Sequence, residues 1–562
     1  MDPVGTEGFR YSSHACRKVA RSQIVTGRKG EKLNTQVSTQ SLTLVRWFAV
    51  LAVAIFAFRL AWFSDDAMIT LRTALNITHG WGPGFNATES VQAYTHPLWF
   101  LLWTLVGVIS NQWVYGILAL SILMSSIAVG ILVWRTKSIA RIIAVVGLLV
   151  FSNAFMEYST SGLENPLAYL GVAVAFALGL TLANDSHFPW WARPFLIGVT
   201  FSAILLTRFD LVFLVAPAML ILLIDFRRNM RIVMVAVLSF VIPLVGWFTW
   251  SWITYQSLLP NTFMAKTNVD IPQTELIVQG LRYFYVTFEN DPITLILLVL
   301  GIGAGFAFGD RLVKAWTVGI VLYLGYVIYI GGDFMAGRFM AVPALLSALI
   351  LAVVVVRTES TRDPIVAPAV SLVFLSFLLV GTSSAGISLS ALTNPQEARW
   401  EFEQNTNAAV ADERGFYVSN GLSIGNVIDN LSLAYINPDI AALGDGSGLS
   451  RTMREVSKAA QNWPYNDGGF TLPSEVGVFC GGLGYLGMAT GPITHIVDSC
   501  ALTDRFLAAQ TFSPVEPFAW RMGHFARYVP EGYLEAIQTG DPLKLRDTAQ
   551  AFELGQLWEK IR

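Results

Sequence analysis

The feature that most constrains this chain is a series of long apolar runs separated by short polar connections. They occupy 43–63, 113–134, 138–155, 164–183, 193–208, 210–225, 231–254, 292–308, 315–331, 339–357 and 366–390. About 20 apolar residues are needed for a helix to cross the roughly 30 Å hydrocarbon core of a bilayer, where only helices and closed barrels satisfy their own backbone. The runs therefore predict a polytopic α-helical membrane protein with about 11 transmembrane helices. Composition agrees, since 54% of residues are hydrophobic and 14% charged, against about 25% charged in soluble domains. A net charge of -2 lacks the basic footprint with which nucleic-acid binders neutralise phosphate, so nucleic acid is excluded as an expected partner.

The basic residues give the orientation. The tail 1–42 carries Arg10, Arg17, Lys18, Arg21, Arg28, Lys29 and Lys32 directly before the first run, which makes it a cytoplasmic tail by the positive-inside rule. No small-residue cleavage site follows 43–63, so that run is expected to remain as a membrane helix. Further basic residues fall in every second connection: Arg135, Lys137 and Arg141; Arg193; Arg227, Arg228 and Arg231; Arg311 and Lys314; Arg357 and Arg362. The alternate connections then face outward, provided that 97–109 is a helix dipping into the outer interface and not a crossing. The membrane domain is expected to span 43–390. From 391 to 562 the chain turns polar, with 20 acidic and 12 basic residues. Short β-like runs at 476–480 and 493–497 stand among expected helices at 451–462 and 543–558, which predicts an exported C-terminal soluble α+β domain. Cys480 and Cys500 both fall there and would be able to pair in an oxidising compartment; two unpaired buried thiols are the equal alternative.

The outward connections hold the chemistry. The first opens Ser64-Asp65-Asp66-Ala67-Met68, immediately after the first run. Carboxylates beside hydrocarbon are expensive and tend to mark function. Asp65 is the expected catalytic base and Asp66 its catalytic neighbour, positioning the acceptor or holding a divalent cation as the one candidate metal ligand. The plainer account of the pair is N-capping of a helix. Glu164 stands at the outward start of a run, as a sugar-hydroxyl ligand or a cap. Arg208 and Asp210 flank a tight turn, where a structural ion pair is the plainer account. Lys266 and Arg338 are outward cations with aromatic or methionine neighbours, suited to clamp a lipid phosphate or else to snorkel to the headgroups. His96 lies at the lip of 97–109, and His524 lies between Arg521 and Arg527.

In their order, these segments resemble the GT-C glycosyltransferases that use polyprenyl-phosphate sugars. After the acidic pair come Gly80-Trp81-Gly82-Pro83-Gly84-Phe85-Asn86 and Tyr94-Thr95-His96-Pro97-Leu98-Trp99. Then follow Thr160-Ser161-Gly162-Leu163-Glu164-Asn165, Thr207-Arg208-Phe209-Asp210, Leu259-Pro260-Asn261-Thr262-Phe263-Met264-Ala265-Lys266 and Gly331-Gly332-Asp333-Phe334-Met335-Ala336-Gly337-Arg338. The later segments Gly484-Tyr485-Leu486-Gly487, Leu502-Thr503-Asp504-Arg505 and Trp520-Arg521-Met522-Gly523-His524 look like the terminal β-1,2-arabinofuranosyltransferases of mycolic-acid-containing actinobacteria.

The resemblance implies a plasma-membrane enzyme with a decaprenyl-phosphoryl arabinofuranose donor and a cell-wall arabinan acceptor, in arabinogalactan or lipoarabinomannan. His96, Glu164, Arg208, Asp210, Asn261, Lys266, Asp333, Arg338 and His524 would bind substrate. It also implies that donor and product are both β, so a single displacement gives the wrong anomer. Either a carboxylate attacks first or the acceptor enters on the leaving-group face. A polyprenyl-phosphate-mannose-dependent mannosyltransferase would share every membrane motif. A lipid-glycan transporter is the non-enzymatic alternative, but transporters place ionisable groups at the midplane and show internal repeats, neither of which is evident here.

Overall fold

In the computed structural model, residues 40–180, 189–354, 409–419, 456–466, 473, 475–512, 521–541 and 544 are described. The apolar runs up to 354 are helical, joined by shorter helices in the polar connections. In chain order they are α1 (Gln40–Arg59), α2 (Asp65–Thr78), α3 (Pro97–Ser110), α4 (Tyr115–Arg135), α5 (Ile139–Phe151), α6 (Asn153–Glu157), α7 (Asn165–Leu180) and α8 (Ala192–Thr207). A 3-10 turn (Phe209–Leu211) leads into α9 (Val212–Phe226), followed by α10 (Met230–Tyr255), α11 (Asn261–Thr267), α12 (Gln273–Asn290), α13 (Pro292–Phe308), α14 (Arg311–Tyr329) and α15 (Ala341–Val353).

Among the described residues, helix length and composition by themselves mark some of the expected crossings. Five described stretches are long and apolar enough: α1, α4, Phe209–Phe226, α10 and α14. The pair α12 and α13, bent by 109° at Asp291, makes a sixth if counted as one span. The remaining expected runs form helices of 13 to 16 residues: α5, α7, α8 and α15. Of these, α15 is buried along almost its whole length by other helices, so lipid thickness does not set its length. The run 366–390 lies outside the described residues, as do 1–39 and the expected helix at 543–558 apart from Lys544. At 14 residues, α3 reaches about 21 Å, short of a full crossing.

Arginines mark one face of the bundle. Arg46 donates to the carbonyls of Val133 and Thr136 at the end of α4. Arg135 and Arg193 donate to carbonyls at the end of α7, and Arg141 to that of Val354 after α15. Each guanidinium thus meets the negative end of a helix dipole. Glu164 sits at the other end of α7, so the acidic connections gather on the opposite face from these arginines.

Over that opposite face lie α16 (Glu413–Ser419), β1 (Glu475–Phe479), α17 (Leu483–Thr490), β2 (Thr494–Asp498), α18 (Arg505–Ala508) and α19 (Tyr533–Thr539). The strands pair in parallel, Glu475 opposite Thr494 through Phe479 opposite Asp498, and α17 supplies the crossover that a parallel pair requires. The β-like runs at 476–480 and 493–497 are therefore displaced from the strands by a single residue, while of the expected helix at 451–462 the stretch 456–461 is described and helical. Cys480 and Cys500 form a disulfide with Cα atoms 5.1 Å apart.

Side chains from the membrane part bind these elements through their backbones. Arg72, fully buried and stacked on Phe85, donates to the carbonyls of Phe85, Gly487 and Thr494. Asn86 exchanges two hydrogen bonds with Ile496, both 3.0 Å. Asn261 donates through Nδ2 to the carbonyls of Ala501, Leu502 and Asp504. The expected substrate ligand Asn261 thus spends its amide on docking. Replacing Asn261 by Ala is expected to lower thermal stability by about 1–3 kcal/mol, because three buried carbonyls lose a donor. A wild-type melting curve for the purified variant would contradict this.

Candidate active site

The acidic pair starts α2, with Ser64 as N-cap: its hydroxyl accepts from the Ala67 N–H at 3.3 Å. The two carboxylates then diverge. Asp65 is buried and accepts from the N–H groups of Gly484 (2.9 Å) and Tyr485 (2.8 Å), in the first turn of α17. The approach is so close that a Cβ on Gly484 would lie 2.0 Å from the Asp65 carbonyl oxygen. Burial pushes the Asp65 carboxyl up to about 7, and the two N–H donors offset part of that rise. Asp66 is the more open of the pair, with 30% of its side chain exposed and the Arg338 guanidinium 3.9 Å away. Packing raises its pKa, while Arg338 and Lys266 pull it back.

Behind Asp66 the outward connections assemble one buried charge network. Glu164, with 1% of its side chain exposed, meets His96 at 3.2 Å, Arg338 at 3.3 Å and Arg208 at 3.7 Å. Burial alone would raise its pKa, yet Arg338, His96 and Arg208 hold it well below the ordinary carboxylate range. His96 Nε2 lies 2.8 Å from the Thr70 hydroxyl on α2. Arg208 pairs with Asp210 at 2.5 Å, and both hydrogen-bond the Tyr323 hydroxyl. Arg338 also lies 3.6 Å from Asp333. Gly331, Gly332 and Gly337 take φ of 88°, 75° and 77°, a left-handed backbone that favours glycine and carries the loop back to deliver Asp333 and Arg338.

One expectation needs correction here. Snorkelling of Arg338 to the headgroups is not what the structure shows, because the side chain is 9% exposed among Glu164, Asp333 and Asp66. Sequence neighbours reported the apolar setting and could not report the three acids that neutralise it.

In front of Asp66 is a cavity of about 360 Å³ lined by Asp65, Asp66, Phe334, Glu413, Tyr417, Arg521 and His524, with the disulfide in its wall. The ring of His524 stands edge-on to Phe334 at 4.4 Å, and burial together with Arg521 and Lys266 lowers its pKa to about 3, which keeps the imidazole neutral. Lys266 packs against Gly523 beside it. Glu413 and Arg521, 3.4 Å apart, were not singled out from the sequence. Arg521 lies in the quoted segment with His524, so the motif held that signal. Glu413 sits in no such motif; it is positioned by the pairing of Ala411 with Phe334 and Ala336. Among the described residues no group of three His, Cys, Asp or Glu side chains gathers to hold a metal ion, and the groups nearest Asp66 include two cations. Among these described residues Asp66 alone does not make a donor set for a divalent cation.

No family model matches the chain. Two curated proteins are similar to it, both named terminal β-(1→2)-arabinofuranosyltransferase. The one from Corynebacterium glutamicum is 27% identical over 68% of this chain, and the one from Mycobacterium tuberculosis is 27% identical over 83%. The chain spans 59% of the former's length and 82% of the latter's. A solved oligosaccharyltransferase from Archaeoglobus fulgidus, crystallised with a tethered acceptor peptide, covers 81% of this chain and 64% of its own at 12% identity, with a TM-score of 0.40; a likeness at that level transfers nothing. By sequence, the chain is similar to these two proteins, whose name is that of the family its motifs resemble.

Proposed function

We propose that the chain is a membrane glycosyltransferase of the GT-C type that moves arabinofuranose from decaprenyl-phosphoryl arabinofuranose to the ends of cell-wall arabinan. The observation that carries this reading is the position of Asp66. A carboxylate stands between a group of cations, Arg338 and Lys266, and a polar cavity lined with aromatic rings. That order suits glycosyl transfer from a lipid phosphate. Cations stabilise the charge that develops on the departing phosphate, and a carboxylate takes the proton of the incoming hydroxyl. Because both Asp65 oxygens accept N–H groups from α17, we exchange the roles read from the sequence: Asp66 is the base and Asp65 positions α17 against the site. Convergence of cations, base and cavity on one carboxylate also suits entry of the acceptor on the leaving-group face.

Purified protein given labelled decaprenyl-phosphoryl arabinofuranose and a synthetic arabinan acceptor should extend the acceptor. Transfer from a polyprenyl-phosphoryl mannose instead would move the reading to a mannosyltransferase, and no transfer from either would remove the enzyme assignment.

The reading includes an orientation, with the site and the C-terminal elements on the extracytoplasmic side of the plasma membrane. It is supported by the disulfide, which needs an oxidising compartment, and by the arginines on the opposite face. Reporter fusions after Arg228 and after Arg562 should report opposite sides. The same side for both would overturn the topology.

A further inference from the structure

The cavity in front of Asp66 differs in charge from the space behind it. Among the described residues Arg338, Lys266 and Glu164 do not line it; those that do combine Asp65, Asp66 and Glu413 with one cation, Arg521, and the neutral His524. With Asp65 and Glu413 pushed toward their neutral forms by burial, this wall carries no excess of cations to hold a phosphate. It offers instead hydrogen-bond acceptors and donors side by side with the rings of Phe334, Tyr417 and Phe479, an environment for a neutral polyhydroxyl ring.

Resting on the function proposed above, we infer that this cavity is the acceptor subsite, and that Glu413 and Arg521 select the acceptor by hydrogen bonding to the hydroxyls of its terminal furanose. Glu413 has 7% of its side chain exposed, whereas Arg521 has 42%. The carboxylate is therefore fixed, and the guanidinium, stacked over Phe334 at 5.3 Å, keeps donors directed into the opening; an arginine carries five N–H groups, of which one contact to Glu413 uses a single nitrogen. Burial pushes the Glu413 carboxyl up to about 8, with Arg521 pulling it back, so near neutrality the group is able to donate as well as accept. Two connections hold this wall: the backbone of Ala411 pairs with Phe334 and Ala336, and the Arg414 side chain donates through Nε to the Leu60 carbonyl at 3.1 Å. The acceptor selectors are thereby fixed to the end of α1, next to the acidic pair.

The experiment compares Arg521→Ala and Glu413→Gln with wild type in the full-length protein. It reads donor dissociation constant, acceptor KM, thermal stability, and direct binding of a synthetic arabinofuranosyl oligosaccharide without donor. Loss of hydrogen bonds to the neutral sugar should raise acceptor KM and weaken direct binding by about 10-fold. Donor affinity should stay within about two-fold, the signature of a residue that touches one substrate only. Arg521→Ala removes a half-exposed side chain and is expected to fold, so it decides the matter if Glu413→Gln does not. Weakened donor binding with unchanged acceptor binding would assign the cavity to the donor and overturn the inference, as would no change in either. The oligosaccharide binding arm does not depend on turnover. A wild-type protein that binds acceptor through Arg521 yet transfers no arabinose would sink the proposed function and leave the subsite standing.

Discussion

Asp66→Asn is expected to lower kcat by about 10²-fold to 10⁴-fold, the usual cost of losing a general base, while the protein remains folded and binds donor. Asparagine keeps the shape of the side chain and one acceptor oxygen, and it sits where 30% of the side chain is open and the nearest guanidinium is 3.9 Å away. Little packing is disturbed. What is lost is the ability to take a proton from the incoming hydroxyl. Asp65→Asn provides the contrast. Its two oxygens each accept a backbone N–H, and an asparagine would turn an NH2 group toward one of those donors. That leaves a buried N–H unpaired, at about 1–3 kcal/mol, and loosens α17 from α2. Asp65→Asn should therefore lose thermal stability together with activity, whereas Asp66→Asn should lose kcat alone. Near-wild-type kcat in Asp66→Asn, with a large loss in a fully stable Asp65→Asn, would return the base to Asp65.

The parts of this site legible in the sequence are those set by membrane topology. Alternation of basic and polar connections places His96, Glu164, Arg208, Asp333 and Arg338 on one face, and the structure joins them within a few ångströms of one another. The plainer account of Arg208 and Asp210, an ion pair across a turn, describes a real contact, with Tyr323 as a third member that no local pattern announces. Contacts between distant segments were not legible. Asp65 reads as a free carboxylate at a helix start, because the two N–H groups it accepts come from residues more than 400 positions away. Separation in sequence also hides Glu413, 108 positions from Arg521, and the docking role of Asn261, 240 positions from Ala501. Helix length was not legible for another reason. Hydropathy counts apolar residues, but helices enclosed by protein, such as α15, are apolar without needing the length that lipid demands.

Glu164→Ala is expected to cost about 3–5 kcal/mol of stability, the range for removing one partner of a buried charge group. Glu164 is fully buried and faces two guanidiniums and an imidazole. Without it Arg338 retains Asp333 and Asp66, and Arg208 retains Asp210, but the centre of the network holds only positive charge. Glu164→Gln keeps the volume and separates the charge from the packing, so most of the loss should persist in glutamine. The pH dependence gives an independent check. Burial would raise the Glu164 pKa, but Arg338, His96 and Arg208 hold it well below the ordinary 4.5. The unfolded chain therefore binds the proton more readily than the folded one, and stability from this group rises with pH across the interval between the two values. Its contribution is complete above the ordinary value and is lost as pH falls through the lowered one. Thermal unfolding in detergent should show a large gap between wild type and Glu164→Gln at neutral pH that narrows only under acid conditions below about pH 4.5. A glutamine variant as stable as wild type at pH 7 would mean that the cations are held by Asp66, Asp210 and Asp333 alone, and Glu164 would be left as a substrate ligand without a structural role.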